Sequence, residues 1–166
     1  MNDKINIYIL VDTSFRAKSG VIGGTLAQMA RSLEFCERKT ELFIIGYNDK
    51  AKLLSPYRPF VPKGNPNLAE GLSFLDTTLR YNRKYRPTYT RSVFLLYSMG
   101  NVLQGWNEKL NKLYQNKEFA LGLRYAVAPY TDKYAQTALQ HFTENENRIL
   151  PYFSAGRLCS LIRNLR

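Results

Sequence analysis

Residues 4–16 of the chain, KINIYILVDTSFR, contain the pattern that decides the fold. An apolar run over residues 5–11 passes directly into a polar loop that begins with Asp12 and contains Ser14. A run of this length, closed by a turn signal, is typical of a strand buried on both faces of a sheet. Open α/β sheets bind ligands at the carboxyl ends of their strands. The pattern therefore predicts a ligand site at this loop, where Arg16 is an unusual residue to find.

The chain of 166 residues is strongly basic, with a formal net charge of +11. The charge favours an acidic partner, whether a nucleic acid, an anionic membrane surface or an acidic protein patch; the alternative is that it serves solubility alone. A hydrophobic fraction of 45% excludes a disordered chain, and the length predicts one domain over residues 1–166. Because the first apolar run is too short for a signal peptide or a membrane span, we expect a cytoplasmic protein without membrane insertion.

Strand and helix patterns alternate along the chain. Strands are predicted over residues 5–11, 41–47, 51–54, 92–97, 119–128 and 148–152. Helices are predicted over residues 21–36, 68–81, 106–114, 132–142 and 154–165. This order predicts a doubly wound α/β sheet that is mostly parallel, with one hairpin and with helices on both faces.

Catalytic chemistry is hard to assemble from these residues. The single histidine, His141, falls inside a predicted helix and far from any nucleophile motif. Cys36 and Cys159 stand far apart without a CxxC spacing, so we expect buried thiols in a reducing compartment and no metal or redox motif. Carboxylates are scarce, and only Asp12 and Ser14 offer hard oxygens to an Mg²⁺-type ion at the end of a buried strand.

The densest basic cluster surrounds the break at residue 87. Tyrosines are interleaved with its cations, a pattern that suits phosphate contacts and base stacking. The alternative, which we favour, is a solvated helix end whose cations complement the helix dipole. The cluster consists of Arg80, Arg83, Lys84, Arg86 and Arg91.

Several stretches, taken in order, resemble a von Willebrand factor A (VWA) domain. They are VDTS at 11–14, a glycine-containing helix start, FIIGYNDKAKLL at 43–54, NLAEGL at 67–72 and RSVFLLYSMGNVLQGW at 91–106. The nearest variety is the bacterial TerY-like group associated with tellurite resistance and stress operons. The resemblance covers the chain from residue 5 to the last helix. It implies a Rossmann-like sheet of six strands, one of them an antiparallel edge strand.

The resemblance also implies a position for a metal site. In the family, a DxSxS loop, a Thr in a second loop and an Asp in a third hold one divalent cation at the metal-ion-dependent adhesion site. Asp12 and Ser14 match the first two positions of that loop, and Arg16 stands in place of the second Ser. Pro66 occupies the Thr position, and Met99, preceded by Ser98, occupies the Asp position. The resemblance therefore implies a degenerate site without a cofactor, or at most Mg²⁺ held by the first two residues.

Arg16 is the substitution with the clearest chemical consequence. A guanidinium has no lone pair to offer a metal, and its permanent charge competes with a divalent cation. We favour the hypothesis that Arg16 pairs with Asp12 and replaces the absent ion. The alternative is that Arg16 points to solvent or to a partner.

The resemblance implies a non-enzymatic protein–protein interaction module that grips another protein through the face at the carboxyl ends of its strands. Arg16 would then receive an acidic side chain of the partner. Alternatives are a nucleic-acid-binding protein that uses the basic cluster, a metal-dependent adhesion module with a partial site, and, from the sheet alone, an enzyme or nucleotide-binding protein. The predicted binding residues are Asp12, Ser14, Arg16, Asn65, Asn67, Ser98, Asn101 and Gln104.

Overall fold

The computed structural model describes residues 4–85, 91–129 and 133–165 of the chain. Strands and helices alternate through these residues, as the sequence predicts. The strands are β1 (Ile5–Asp12), β2 (Thr40–Tyr47), β3 (Ala51–Leu53), β4 (Arg91–Tyr97), β5 (Leu123–Val127) and β6 (Ile149–Leu150). The helices are α1 (Ser19–Glu34), α2 (Leu68–Tyr85), α3 (Trp106–Tyr114), α4 (Lys117–Leu121), α5 (Lys133–Thr143) and α6 (Ala155–Asn164).

All six strands form one sheet in the order β3-β2-β1-β4-β5-β6. β1 is parallel to both β2 and β4, and β5 and β6 continue the parallel arrangement. β3 pairs antiparallel with β2 and forms one edge. The predicted doubly wound, mostly parallel six-stranded sheet with one antiparallel edge strand is therefore confirmed. The strand order reverses between β1 and β4, which is the position where sheets of this kind open a crevice.

β1 lies at the centre of the sheet, and each of its eight residues is buried. Because successive side chains point to opposite faces, the strand contributes to two separate cores. Ile7, Ile9 and Val11 pack with α1 and α6 on one face. Tyr8 and Leu10 pack with α2, α3 and α5 on the other. The prediction of a strand buried on both faces is confirmed.

The predicted strand over residues 119–128 is wrong in its first part. α4 occupies residues 117–121, and β5 begins only after Gly122. The Asn116 side chain caps α4 by accepting hydrogen bonds from the backbone N–H groups of Glu118 and Phe119. A Cβ on Gly122 would lie 2.4 Å from a Phe94 ring carbon, so only glycine fits where the chain turns from helix to strand. The sequence pattern indicated apolar burial here but not the capped turn of helix.

Other element ends also differ from the prediction. β6 is only two residues long, because a 3₁₀ turn over Glu146–Arg148 precedes it and Pro151 follows. The predicted helix over residues 132–142 begins at Asp132, outside the described residues, and α5 starts at the next residue. Ser154 caps α6 as predicted, accepting from the backbone N–H of Arg157. Each helix in the described ranges is too short or too polar to cross a membrane.

The two cysteines are not the buried thiols that the sequence predicts. Cys36, just after α1, and Cys159, in α6, are partly exposed, and their Sγ atoms lie 3.4 Å apart. The prediction assumed that distance along the chain separates them, whereas α1 and α6 pack side by side on the same face of the sheet.

Candidate functional site

Asp12 is the last residue of β1 and lies at the point where the strand order reverses. Its side chain is buried, with 1% exposure. Oδ1 accepts a hydrogen bond from the backbone N–H of Ser14 at 2.8 Å, and Oδ2 accepts from the backbone N–H of Met99 at 3.4 Å. The carboxyl group therefore joins the loop after β1 to the loop after β4.

Burial is the largest influence on the Asp12 carboxyl and raises its pKa above the ordinary value. The Ser14 hydroxyl, the N–H groups of Ser14 and Met99, and the charge of Arg16 act in the opposite direction. Neighbours that stabilise the carboxylate thus offset only part of the cost of removing it from water. Asp12 is a buried acid held by amide dipoles.

Ser14 follows β1 and Ser98 follows β4, and both side chains are fully buried. Neither Oγ atom has a hydrogen-bond partner of good geometry within the described residues. Ser14 Oγ nevertheless lies near enough to Asp12 to lower the pKa of its carboxyl. Ser98 Oγ likewise lies near enough to the hydroxyl of Tyr47 to lower the pKa of that phenol, against the larger raising effect of burial. Unpartnered buried hydroxyls are uncommon, and they mark a position where a water, an ion or a ligand atom would be favourable.

Thr13 and Tyr47 also belong to the site, although the sequence pattern did not identify them. The backbone N–H and the side-chain hydroxyl of Thr13 both donate to the carbonyl oxygen of Tyr47, at 2.9 and 3.0 Å. The Tyr47 hydroxyl in turn donates to the carbonyl oxygen of Tyr97 at 3.2 Å. These contacts join the ends of β1, β2 and β4. Two sequence features could have identified these residues. Thr13 carries a hydroxyl group next to Asp12, and Tyr47 is the last residue of a predicted buried strand.

Arg16 does not form the ion pair with Asp12 that we favoured from the sequence. No such pair within 4.0 Å occurs among the described residues, and Arg16 is exposed. Its guanidinium carbon lies 5.5 Å from the centre of the Phe15 ring. Asp12 is buried with both of its oxygens engaged, whereas Arg16 keeps its hydration at the surface, where a cation–π contact costs little. The solvent-facing alternative is the one that the structure adopts.

A long loop over residues 55–67 packs beside the loop that follows β1. The N–H of Phe15 donates to the carbonyl of Gly64, and the N–H of Lys63 donates to the carbonyl of Thr13. The N–H of Leu103 donates to the carbonyl of Pro66, which ties in the loop after β4. Three loops therefore form one continuous rim around Asp12.

The rim presents both polar and apolar side chains. Phe15, Val61 and Leu103 are large apolar residues with 60%, 77% and 42% exposure. Asn65 is exposed and donates from Nδ2 to Asp49 Oδ1 at 3.0 Å. Of the other predicted binding residues, Gln104 is exposed, Asn67 and Asn101 are half-buried, and Ser98 is buried beneath them.

The predicted basic cluster lies at the opposite edge of the sheet, because Arg91 begins β4 whereas Ser98 follows its end. Arg80 forms an ion pair with Asp76, one turn earlier on α2, at 3.2 Å. Arg83, Lys84 and Arg91 are exposed at the end of α2 and the start of β4. The fifth member, Arg86, lies outside the described residues. The structure thus separates this cluster from the site around Asp12.

Neither a family model nor a curated protein sequence matches this chain. Solved structures do resemble it. Proximal thread matrix protein 1 from the mussel byssus, with a zinc-occupied MIDAS motif, matches with a TM-score of 0.61 at 13% identity over 96% of this chain and 46% of that one. A second crystal form of that protein matches with a TM-score of 0.57 at 11% identity, over 97% of this chain and 44% of that one. The manganese-loaded TRAP protein of Plasmodium vivax matches with a TM-score of 0.65 at 14% identity, over 97% of this chain and 72% of that one.

The chain has the VWA fold. At these identities the likeness concerns the fold alone, and the chain spans less than half the length of the mussel protein. Within the VWA fold, the end of β1 and the loop after β4 lie at the carboxyl edge of the sheet, which agrees with the position of the Asp12 site.

Few side-chain oxygens are available to a metal ion around Asp12. Asp12, Ser14 and Ser98 supply one carboxylate and two unpartnered hydroxyls. Pro66 and Met99, at the positions expected for the remaining donors, supply no side-chain oxygen. Across the described ranges, no group of three or more His, Cys, Asp or Glu side chains could hold a metal ion.

Proposed function

We propose that this chain is a non-enzymatic, cytoplasmic protein–protein interaction module of the TerY-like kind, with a degenerate metal site. The partner binds at the face around Asp12, which we define as Phe15, Arg16, Val61, Asn65, Leu103 and Gln104. The observation that carries the proposal is the combination of a buried, fully engaged Asp12 with exposed apolar and cationic side chains on the rim above it. Those exposed side chains are available to a partner without rearrangement of the site.

The composition of this face supports a protein partner. Large apolar residues exposed close to an arginine are characteristic of interface centres, where aromatic and arginine side chains are enriched. Arg16 carries a charge that Asp12 does not neutralise, so it is free to accept a carboxylate of the partner. An acidic segment with apolar residues beside it is the partner chemistry that this face favours.

A charge reversal on the rim tests the proposal. Arg16→Glu should abolish capture of the native partner from the cytoplasm without unfolding the domain, because Arg16 is exposed and acts on Asp12 only through its charge. Arg83→Glu is the matched control: it reverses another exposed arginine, but at the opposite edge of the sheet, and should leave capture intact. Equal capture by Arg16→Glu and the wild type would remove this face as the binding site.

Loss of the metal is tested separately by calorimetric titration with Mg²⁺ and Mn²⁺. We expect no binding in the micromolar range, and partner capture should be the same with and without a chelator. Micromolar binding that disappears in Asp12→Ala would show instead that Asp12, Ser14 and Ser98 form a working partial site.

Nucleic-acid binding remains the second candidate, supported by one feature of α2. Tyr81 and Tyr85 are 61% and 59% exposed, and their ring centres lie 4.6 Å apart beside the exposed Arg83 and Lys84. Exposed aromatic rings among cations suit single-stranded nucleic acid, because bases can stack on them. This function predicts affinity that falls steeply with salt and is lost in Arg83→Glu. An absence of binding to single-stranded oligonucleotides at low salt would eliminate it.

A further inference from the structure

We propose that Cys36 and Cys159 form a reversible, peroxide-responsive thiol pair whose disulfide ties α6 to the carboxyl-terminal end of α1. The two sulfur atoms are 3.4 Å apart across 123 positions of sequence. They therefore need to approach by little more than 1 Å to reach the S–S bonding distance of about 2.0 Å.

The sulfur pair is accessible to a small oxidant. Both cysteines are partly exposed, and they line a cavity of about 430 Å³ between α1 and α6. Ser32, Phe35 and Arg163 line the same cavity. Hydrogen peroxide is far smaller than this cavity, so the cavity can admit it beside the two cysteines.

The two thiols contact each other and share their surroundings. Cys36 Sγ lies 3.4 Å from Cys159 Sγ and 3.6 Å from the carbonyl oxygen of Ser32. Burial, followed by the neighbouring sulfur, raises the pKa of Cys36 to about 11, although the charge of Arg163 acts in the opposite direction. Either sulfur can make the first attack on peroxide, and the other sulfur then completes the disulfide.

The reaction balances with one peroxide. One of the two cysteines, as its thiolate, attacks a peroxide oxygen, the O–O bond breaks, and the departing hydroxide takes a proton and leaves as water. The other sulfur gives up its proton and attacks the sulfenic sulfur, the S–O bond breaks, and the second oxygen leaves with that proton as a second water. Two thiols have lost two electrons and the peroxide has gained them. A small dithiol reverses the change by two successive thiol–disulfide exchanges.

The disulfide would add a covalent tie to a junction that is held by polar and apolar contacts. Arg38 Nη1 donates to two carbonyl oxygens at the end of α6. One belongs to Ile162 in the last turn, at 3.2 Å, and the other belongs to Leu165, the residue after the helix. Leu158 and Ile162 bury the apolar side of the helix. A covalent bond at Cys159 adds a tie between α6 and the same region of the chain, so oxidation should restrict separation of the helix from the sheet.

Peroxide titration of the folded chain tests the proposal. Stoichiometric hydrogen peroxide should yield a monomer in which both thiols are lost together, with a Cys36–Cys159 peptide pair in the mass spectrum, and dithiothreitol should restore both thiols. The melting temperature of the oxidised chain should be about 5–10 °C higher than that of the reduced chain. Cys36→Ser and Cys159→Ser should show neither the cross-link nor the increase.

The rate of disulfide formation in folded and in denatured chains shows whether the fold itself holds the two thiols together. The cross-link should form at least about tenfold faster in the folded chain, because unfolding separates two thiols that are distant in sequence. An equal or faster rate in denaturant would overturn the proposal. So would disulfide-linked dimers as the main product, or oxidation of one thiol without the peptide pair.

Discussion

Replacing Gly64 by alanine should weaken the rim of the binding face. Gly64 has a φ of +74°, where residues with a Cβ are strained, and its Cβ would lie 2.3 Å from Asp49 Oδ2. The left-handed conformation costs about 1–2 kcal/mol for a residue other than glycine. Asp49 would also have to rotate away from its hydrogen bond with Asn65, at a cost of about 0.5–1 kcal/mol for a contact at the surface.

Together these terms predict that Gly64→Ala lowers the free energy of unfolding by about 2 kcal/mol. For a chain of this size the melting temperature should fall by about 4–8 °C. Urea denaturation followed by tryptophan fluorescence measures the change, since Trp106 is buried in the core. Partner capture should weaken as well, because the Gly64 carbonyl accepts from the N–H of Phe15 on the binding face.

Two further variants isolate the cause. Gly20→Ala is the matched control, because its Cβ would meet nothing within 4 Å in the first turn of α1; we expect unchanged or slightly higher stability. In an Asp49→Ala background the collision is absent, so Gly64→Ala should cost only the strain of about 1–2 kcal/mol. If Gly64→Ala is as stable as the wild type, or costs the same in both backgrounds, the explanation is wrong.

Two other predictions concern buried charges. Arg124→Met should lower the free energy of unfolding by about 2–4 kcal/mol. The reason is that the guanidinium is buried and donates to the carbonyl oxygens of Phe119, Ala120 and Phe142. Urea denaturation measures the change, and a loss of less than about 1 kcal/mol would contradict the prediction. Asp12 has a raised pKa in the folded chain, so its contribution to the free energy of unfolding depends on pH. That contribution is greatest below the ordinary pKa of the carboxyl group and is lost as the pH rises through the raised pKa. The wild type should therefore lose stability relative to Asp12→Asn over that interval, and an increase would indicate an acid stabilised by a cation.

The sheet could be predicted from the sequence because its central strands have a clear pattern of apolar residues. β1 and β4 are nearly continuous apolar runs, and only a central parallel strand buries both faces in this way. α4 was missed because its five residues are too few to show helical periodicity, and an asparagine cap rather than an apolar stripe begins it. The proximity of Cys36 to Cys159 depends on which helices share a face of the sheet, and no local pattern encodes that.

At the candidate site, sequence reasoning found the residues more readily than their contacts. The carboxyl-end rule indicates the loop after β1, whereas Ser98, after β4, was named only through the resemblance to VWA domains. The structure places Asp12, Ser14 and Ser98 at the carboxyl ends of these two strands. The pairing of Arg16 with Asp12 failed for a physical reason. Two nearby charges of opposite sign suggest an ion pair, but backbone amides reach a buried carboxylate without removing a guanidinium from water.

The contacts of Asp12 suggest why an acid persists where a metal is proposed to be absent. Its two oxygens hold the N–H groups of Ser14 and Met99, and through them the loops that follow β1 and β4. An asparagine could accept a hydrogen bond from only one of these N–H groups. Its side-chain NH₂ group, which is a donor, would face the other N–H group. Asp12 therefore acts as a positioning residue for the rim that carries Phe15 and Leu103. On this reasoning Asp12→Asn should weaken partner capture equally in the presence and in the absence of divalent ions. If the site depended on a metal, the variant would capture less partner than the wild type only when divalent ions are present.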